Sequence, residues 1–306
     1  MTALYPPDAD RDFLHPWWQP VRADLRSLLA LTEPGLQLAW LNEQAQLRAC
    51  RNGQGKTITF IDQAAWSGAG YEFWIDQHAQ VPTRMSGHGR WHDVFNALCW
   101  LRWPLAKAQL NRMHAQSAPA QPGTRGPMRD KATLIDEQAL IWLPSDPALC
   151  EALRAGDWKR LFWAERWRWA QAQHQKRLLV FGHALFEKCL APYKALTAHV
   201  LILSGLERDK PLAADRVDAL LAERLSDAIQ AGLHHAGLRH DGSQQAGSQQ
   251  AGSQQAGLKV GSELVLYPLP VLGVPGWHED NQHQAFYDDP QVFRLTKARA
   301  SGPSSA

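Results

Sequence analysis

The segment RWHDVFNALCWLRWPLAKAQLN, residues 90–111, places polar side chains with acid–base and anion-binding chemistry in an otherwise apolar stretch. These side chains are His92, Asp93, Asn96, Lys107 and Asn111. If the segment is helical, His92 and Asn96 lie one turn apart on one face, and Lys107 and Asn111 repeat that spacing. A histidine exchanges protons near neutral pH, and a lysine attracts anions. A buried polar group without a partner costs about 1–3 kcal/mol, so these residues need partners or a ligand.

Two interpretations of this polar group stay open. In the first, the residues form a catalytic site that acts on an anion. Its candidate catalytic residues are His92, Asp93 and Asp130, and its candidate substrate-binding residues are Arg84, Asn96, Lys107, Asn111 and Arg129. His92 is then the general acid/base, which Asp93 or Asp130 orients, while the basic residues hold the anion. In the second, the same residues cap the helix and fasten the loops 82–93 and 128–137 to it, with Asp136 as a further partner.

A second candidate site is the sequence FGHALFE, in which His183 and Glu187 are four residues apart. This spacing puts both side chains on one helical face, as in helices that present two metal ligands. A third ligand would come from His92, Asp93 or His199. The alternative is a packed helix in which Glu187 simply bonds His183. Beyond this candidate metal, the sequence leaves the cofactor unknown.

Short motifs elsewhere in the chain do not carry a known chemistry. GQGKT, residues 53–57, matches half of a phosphate-binding loop, but Cys50 stands where the pattern requires its first glycine. A predicted strand, rather than a helix, follows it. The His92-Asp93 dipeptide lacks the flanking histidine and distant aspartate of metal phosphohydrolases, so it assigns no family.

Composition narrows the class of protein. The 32 basic and 30 acidic residues give a net charge of +2, which makes nucleic acid an improbable main partner. The four cysteines are isolated from one another, and no apolar run approaches the roughly 18 residues of a membrane span. No secretory signal begins the chain. We therefore expect a cytoplasmic protein without a membrane partner, whose oligomeric state the sequence leaves open. The 14 tryptophans should mainly fill the core.

Periodicity predicts a mixture of helices and strands without strict alternation, which indicates an α+β fold. Helices are predicted at 21–31, 36–49, 90–111, 146–158, 158–173, 178–192 and 213–233. Strands are predicted at 56–62, 71–77, 196–203 and 262–270, with a β-hairpin at 132–143. Asp146 and Pro147 have the residue types of a helix N-cap and first helical position. The expected architecture is a single domain with helices packed on a small mixed or antiparallel sheet.

The predicted domain spans residues 10–297, between an N-terminal tail at 1–9 and a disordered tail at 298–306. Within it, GSQQAGSQQAGSQQAG at 242–257 repeats a five-residue unit and contains no apolar residue larger than alanine. Such a segment has too little apolar surface to offset its ordering entropy. We expect a disordered insertion.

Segments distributed along the chain carry a family resemblance. In order, they are RDFLHPWW, YEFWIDQHAQVPTR, HDVFNALCWLRWPLAKAQLN, RDKATLIDE, FGHALFEK, LTAH, PLPVLGVPGW and FYDDPQVFR. Together they resemble the bacterial domain-of-unknown-function family numbered 3025. The resemblance brings no activity, substrate or cofactor with it.

Whether the protein is an enzyme stays open, and the most concrete candidate function is a hydrolase or transferase acting on an anionic small molecule or nucleotide. The alternative is a non-catalytic binding or scaffold protein in which the same polar residues are structural. A cavity into which His92 and Arg129 project favours the enzyme. Complete burial of the polar group with every atom paired favours the scaffold.

Overall fold

A four-stranded mixed sheet with helices packed around it organises the fold, so the predicted α+β class is confirmed. The computed structural model describes residues 13–68, 70–116, 127–144, 146–169, 177–204, 213–241 and 264–293. The predicted tails at 1–9 and 298–306 and the repeat at 242–257 lie outside the described residues. In the described part of the chain, no helix is long and apolar enough to cross a membrane.

Ten α-helices are described. They are α1 (Arg22–Leu29), α2 (Pro34–Leu47), α3 (Tyr71–His78), α4 (Arg90–Arg102), α5 (Pro104–Gln116), α6 (Pro127–Gln138), α7 (Pro147–Ala155), α8 (Arg166–Trp169), α9 (His183–Lys188) and α10 (Ala214–Asp241). A π-helical turn, Arg160–Ala164, precedes α8. The predicted helices at 21–31, 36–49, 90–111 and 213–233 are confirmed. Asp146 caps α7 as predicted, because its side chain accepts a hydrogen bond from the Ala148 N–H at 2.9 Å.

The strands form two sheets. They are β1 (Thr59–Asp62), β2 (Gln80–Thr83), β3 (Ala139–Trp142), β4 (Leu178–Val180), β5 (Thr197–Ile202) and β6 (Leu266–Pro270). The larger sheet has the order β4-β3-β5-β6, in which β3 and β5 are parallel and both outer pairings are antiparallel. β1 and β2 pair in parallel as a separate sheet. β5 is an interior strand, as its apolar sequence predicts.

Buried apolar side chains form one continuous core in which tryptophans are prominent. The fully buried tryptophans are Trp18, Trp100, Trp103, Trp142, Trp169 and Trp277. Phe95 of α4, Trp18 and Phe186 contact one another, with ring centroids 5.5 to 6.0 Å apart. Trp167, in the segment WAERWRW at 163–169, is an exception, since 57% of it is exposed. The tryptophans are therefore mainly core residues, as expected.

The corner between α4 and α5 sets the geometry of the polar group. Pro104 lacks an N–H and disfavours the helical conformation in the residue before it, so α4 ends at Arg102 and α5 begins at Pro104. Asp218 of α10 accepts hydrogen bonds from the backbone N–H groups of Leu105 and Ala106, both at 2.9 Å. These bonds satisfy N–H groups that the first turn of a helix leaves unpaired.

The predicted strand at 71–77 is wrong, because these residues form α3. The segment YEFWIDQ has the aromatic and β-branched residues typical of strands, but burial follows a helical pattern in which Ile75 faces the core. Gly70 and Ala79 adopt left-handed conformations at the two ends, with φ of 56° and 54°. The partner of β1 is β2, the strand that follows α3.

The predicted hairpin at 132–143 is also wrong. Its first half belongs to α6, which passes into β3 between Gln138 and Ala139 without an intervening loop. Ala132, Ile135 and Asp136 are buried at helical spacing, so the predicted turn at Asp136 lies on a helix. The carboxylate of Asp136 is consequently placed by a rigid element.

The predicted helix at 178–192 divides into β4 and the shorter α9. Gly182 separates them and lies against the backbone of α6, where a Cβ would be 2.3 Å from the Glu137 carbonyl oxygen. Only glycine fits such a close backbone approach. This contact brings the first residue of α9, His183, next to α6.

Candidate functional site

A cavity of about 360 Å³ opens between α3, α4, α5, α6 and the first residue of α9. Six residues predicted from the sequence line it, namely Arg84, His92, Asp93, Asn96, Arg129 and His183. The other ionisable residues of the lining are Tyr71, Glu72, His114, Asp136 and Glu137. The fold therefore collects residues that are up to 120 positions apart in the chain (Gln63 to His183) around one cavity.

The remaining predicted residues lie elsewhere. Lys107 and Asn111 are buried behind the cavity wall, with 3% and 2% of each residue exposed. Asp130 is exposed and does not line the cavity. Glu187 does not line it either but contacts His92. The predicted polar group is thus divided into a cavity-facing part and a buried part.

The buried part is centred on an ion pair between α5 and α6. Lys107 Nζ lies 2.5 Å from Asp136 Oδ1 and donates a second hydrogen bond to Asn96 Oδ1 at 2.8 Å. Asn96 in turn donates to the Tyr71 hydroxyl at 2.9 Å. Burial opposes ionisation of Asp136, but the Lys107 ammonium outweighs it and lowers the pKa of that carboxyl to about 2. The pair is therefore charged. Together with Asn96, it connects α4, α5 and α6.

Asn111 connects α5 to α3. Its Nδ2 donates to both the backbone carbonyl and the Oε2 of Glu72, each at 2.8 Å. Burial raises the pKa of Glu72, and the negative charge of Asp136 acts in the same direction, whereas His114 opposes it. Glu72 is consequently a carboxyl whose proton is held more tightly than usual.

Two histidines contact each other at the N-terminal end of α9. His92 Nε2 lies 3.2 Å from His183 Nε2, and His92 Nδ1 lies 3.2 Å from Glu187 Oε2. The hydrogen bond to Glu187 raises the pKa of His92, whereas burial lowers the pKa of His183 to about 3. At neutral pH His183 is therefore uncharged. Its Nε2 can accept a hydrogen bond from His92, whose Nδ1–H is held by Glu187.

Asp93 has a local role in the loop before α4. Its Oδ2 accepts a hydrogen bond from the Arg84 backbone N–H at 2.8 Å, and burial raises the pKa of the carboxyl. The Arg84 guanidinium donates to the His88 carbonyl at 2.9 Å. These contacts fasten the 82–93 loop to the helix, which is what the structural interpretation predicts for Asp93.

Six lining residues were not predicted from the sequence, namely Gln63, Tyr71, Glu72, His114, Thr133 and Glu137. Glu72 went unrecognised because its segment was interpreted as a strand. A helical interpretation would have placed Tyr71 and Ile75 on the inner face, next to Glu72. Thr133 and Glu137 are four residues apart on α6, but the hairpin prediction concealed that spacing.

A group of possible metal ligands lines the cavity, and it differs from the predicted one. In the described residues, Glu72, His114 and Asp136 are such a group, each offering a ligand atom within 4.8 Å of the others. The pair predicted from the sequence, His183 and Glu187, does not belong to it, and Glu187 instead bonds His92.

Comparison with known proteins yields one match. The family model described as "Protein of unknown function (DUF3025)" matches residues 58–297. No curated protein and no solved structure matches the chain. The match covers every cavity residue and adds no chemistry to the geometry.

Proposed function

The chain belongs to the DUF3025 family of proteins of unknown function, and from its cavity we propose that it is a hydrolase or transferase acting on an anionic small molecule or nucleotide. The observation that carries the proposal is that His92 and Arg129 line the same cavity. A proton-exchanging group and a fixed cation are then available to one bound molecule. At about 360 Å³, the space suits a small ligand rather than a macromolecule.

Arg129 is the principal anion-binding residue in this proposal. Its guanidinium forms no ion pair with any described residue, so its charge is available to a ligand. Arg84 lines the cavity as well, although one of its nitrogens is engaged by the His88 carbonyl. Guanidinium groups recognise phosphate and carboxylate oxygens through paired hydrogen bonds, which supports an anionic substrate.

His92 is the proposed general acid/base, and Glu187 is its orienting partner. Glu187 holds Nδ1, so Nε2 is the nitrogen that exchanges a proton with a substrate oxygen, which must replace the His183 contact at that atom. In hydrolysis or group transfer, His92 accepts the proton of the attacking water or hydroxyl and returns it to the leaving oxygen. The orienting role that the sequence suggested for Asp93 or Asp130 thus passes to Glu187.

The non-catalytic alternative is favoured by a separate observation. Lys107, Asn96 and Asn111 are buried and bonded to residues of neighbouring helices. These residues have the contacts of a structural network, and their substitution would alter stability rather than chemistry. A binding protein with the same cavity would use Arg129 without needing His92.

Isothermal titration calorimetry with inorganic phosphate and pyrophosphate tests the anion site. We expect binding by the parent protein, at least a tenfold loss in Arg129→Gln, and no change in Arg154→Gln, a surface control on α7. Equal affinity in parent and Arg129→Gln, or no binding by the parent, would contradict the proposal. Hydrolysis of a panel of phosphate and carboxylate esters then separates the classes. Turnover that His92→Gln abolishes indicates an enzyme, whereas binding without turnover indicates a binding protein.

A further inference from the structure

We infer that Glu72, His114 and Asp136 form a binding site for one divalent transition-metal ion, which faces the cavity. This inference deepens the proposed function and rests on the same cavity. It differs from the pair that the sequence suggested, His183 and Glu187. The three ligands come from three different helices, α3, α5 and α6, whose packing against one another fixes their separation.

The distances suit a single ion. One ligand atom from each residue lies within 4.8 Å of the other two. Zinc holds nitrogen and oxygen ligands at about 2.0–2.2 Å, so two ligands of one ion are at most about 4.4 Å apart. The 4.8 Å limit exceeds this span by about 0.4 Å, so a small side-chain adjustment brings all three atoms within reach of one ion. All three residues line the cavity, which leaves the remaining coordination positions accessible to water or a substrate.

The charges of the lining favour a cation. Four carboxylates line the cavity, those of Glu72, Asp93, Asp136 and Glu137, against two guanidinium groups. Lys107 pairs with Asp136, but Glu72 forms no ion pair with any described residue and receives only the Asn111 amide. These carboxylates would repel an anionic substrate. A divalent ion on Glu72 and Asp136 offsets this excess of negative charge and gives the anion a second positive contact besides Arg129.

His183 supplies an independent observation. It is 5% exposed and lines the same cavity, yet its Nδ1 makes no hydrogen bond of standard geometry. That nitrogen lies 3.8 Å from Asp136 Oδ2, the carboxylate oxygen that Lys107 does not occupy. A buried polar atom that lacks a direct partner needs one, and a water bound to the ion would supply it to His183 Nδ1. With Nε2 accepting from His92, Nδ1 carries the ring proton, so His183 is placed to donate a hydrogen bond to a water bound to the ion.

Outer contacts hold two of the three ligands in orientation. Asn111 donates to Glu72 Oε2, and Lys107 donates to Asp136 Oδ1, so each carboxylate keeps another oxygen for the metal. Such outer contacts are a regular feature of protein metal sites. One imidazole with two carboxylates is a mixed ligand set that suits Zn²⁺ or Mn²⁺ better than softer ions.

Calorimetric titration of the chelator-treated full-length protein with ZnCl₂ and with MnCl₂ tests the site. We expect one equivalent of at least one ion to bind. Glu72→Gln and His114→Ala should each weaken binding at least tenfold, and Asn111→Ala should weaken it about 10–100-fold. His283→Ala, which changes an exposed histidine outside the cavity, should leave binding unchanged. Circular dichroism melts of each variant confirm that the variant is folded.

Three outcomes would overturn the inference. They are binding of neither ion, binding that survives in both Glu72→Gln and His114→Ala, and binding that Glu187→Gln abolishes while Glu72→Gln does not. Phosphate titration of the chelated protein keeps the two proposals distinct. If phosphate binding depends on Arg129 but no metal binds, the metal site alone is wrong. If metal binds at Glu72 and His114 but phosphate binds in neither the chelated nor the metal-loaded protein, the anionic substrate is wrong.

Discussion

His92 and His183 face each other through Nε2 atoms 3.2 Å apart, although their surroundings shift their pKa values in opposite directions. The hydrogen bond to the partly exposed Glu187 raises the pKa of His92, and burial in the protein core lowers the pKa of His183. His92 is therefore the more basic of the two rings, and in its protonated form it donates through Nε2 to the His183 Nε2.

NMR titration of the imidazole groups in chelator-treated protein measures the pKa values of His92 and His183. We expect His92 to titrate above the ordinary value of about 6.5, and His183 to stay neutral throughout the range from about pH 5 to 8. The His92–Glu187 pair stabilises the fold below the unfolded-state pKa, and this contribution is lost as pH rises through the folded-state pKa. Glu187→Gln should move the His92 midpoint downward. An unchanged midpoint would show that Glu187 does not hold the ring.

The buried ion pair of Lys107 and Asp136 should matter more to stability than an exposed pair. Their side chains are 4% and 10% exposed, whereas those of Lys159 and Asp288 are 60% and 55% exposed. Lys107→Met leaves a buried carboxylate unpaired and should cost about 3–5 kcal/mol of unfolding free energy. Lys159→Met should cost at most about 1 kcal/mol. Urea denaturation measures both changes.

The double variant Lys107→Met/Asp136→Asn gives the control for that prediction. Because it removes both charges, it should be less destabilised than the sum of its two single variants. Additive losses would mean that the two side chains contribute separately and that the pair does not couple α5 to α6.

Arg129 should contribute to anion binding at no cost to stability. Its guanidinium has no ion-pair partner among the described residues and lies in a cavity with other charged groups. Arg129→Ala should therefore leave the melting temperature unchanged or raised, while the phosphate-induced thermal shift disappears. His92→Ala, which also removes a contact with Glu187, is the companion variant. If both variants lose more than about 1 kcal/mol and the parent shows no anion response, the structural interpretation holds.

Gly182 should be intolerant of a side chain, because a Cβ there would lie 2.3 Å from the Glu137 oxygen and 2.4 Å from the Gln138 nitrogen. Gly182→Ala must displace α9 from α6 and should destabilise the protein by more than about 2 kcal/mol. Gly35→Ala is the matched control. No atom lies within 4 Å of a Cβ at Gly35, which is in the first turn of α2, so that variant should be neutral or slightly stabilising. Equal melting temperatures for the two variants would contradict the close approach.

Much of the cavity could be predicted from local spacing, but its second half could not. His92 and Asn96 stood out because helical spacing puts polar groups within an apolar run, and the α4–α5 pair formed as expected. Glu72 did not stand out, because the residues around it favour strands. Tertiary packing nevertheless makes this segment helical. The approach of His183 to Asp136 depends on a backbone contact at Gly182. Periodic patterns in the sequence do not indicate such a contact.

The direct passage of α6 into β3 has a consequence for ligand entry. β3 lies between β4 and β5, so the last turn of α6, with Asp136 and Glu137, is anchored to the interior of the sheet. That wall should exchange its amide protons only on global unfolding. Residues 84–89, by contrast, contain two glycines in left-handed conformations and an exposed stretch at 86–88. We therefore expect the α6 wall to stay fixed when a molecule enters the cavity, and any movement to be confined to residues 86–88, between the contacts that hold Arg84 and the start of α4.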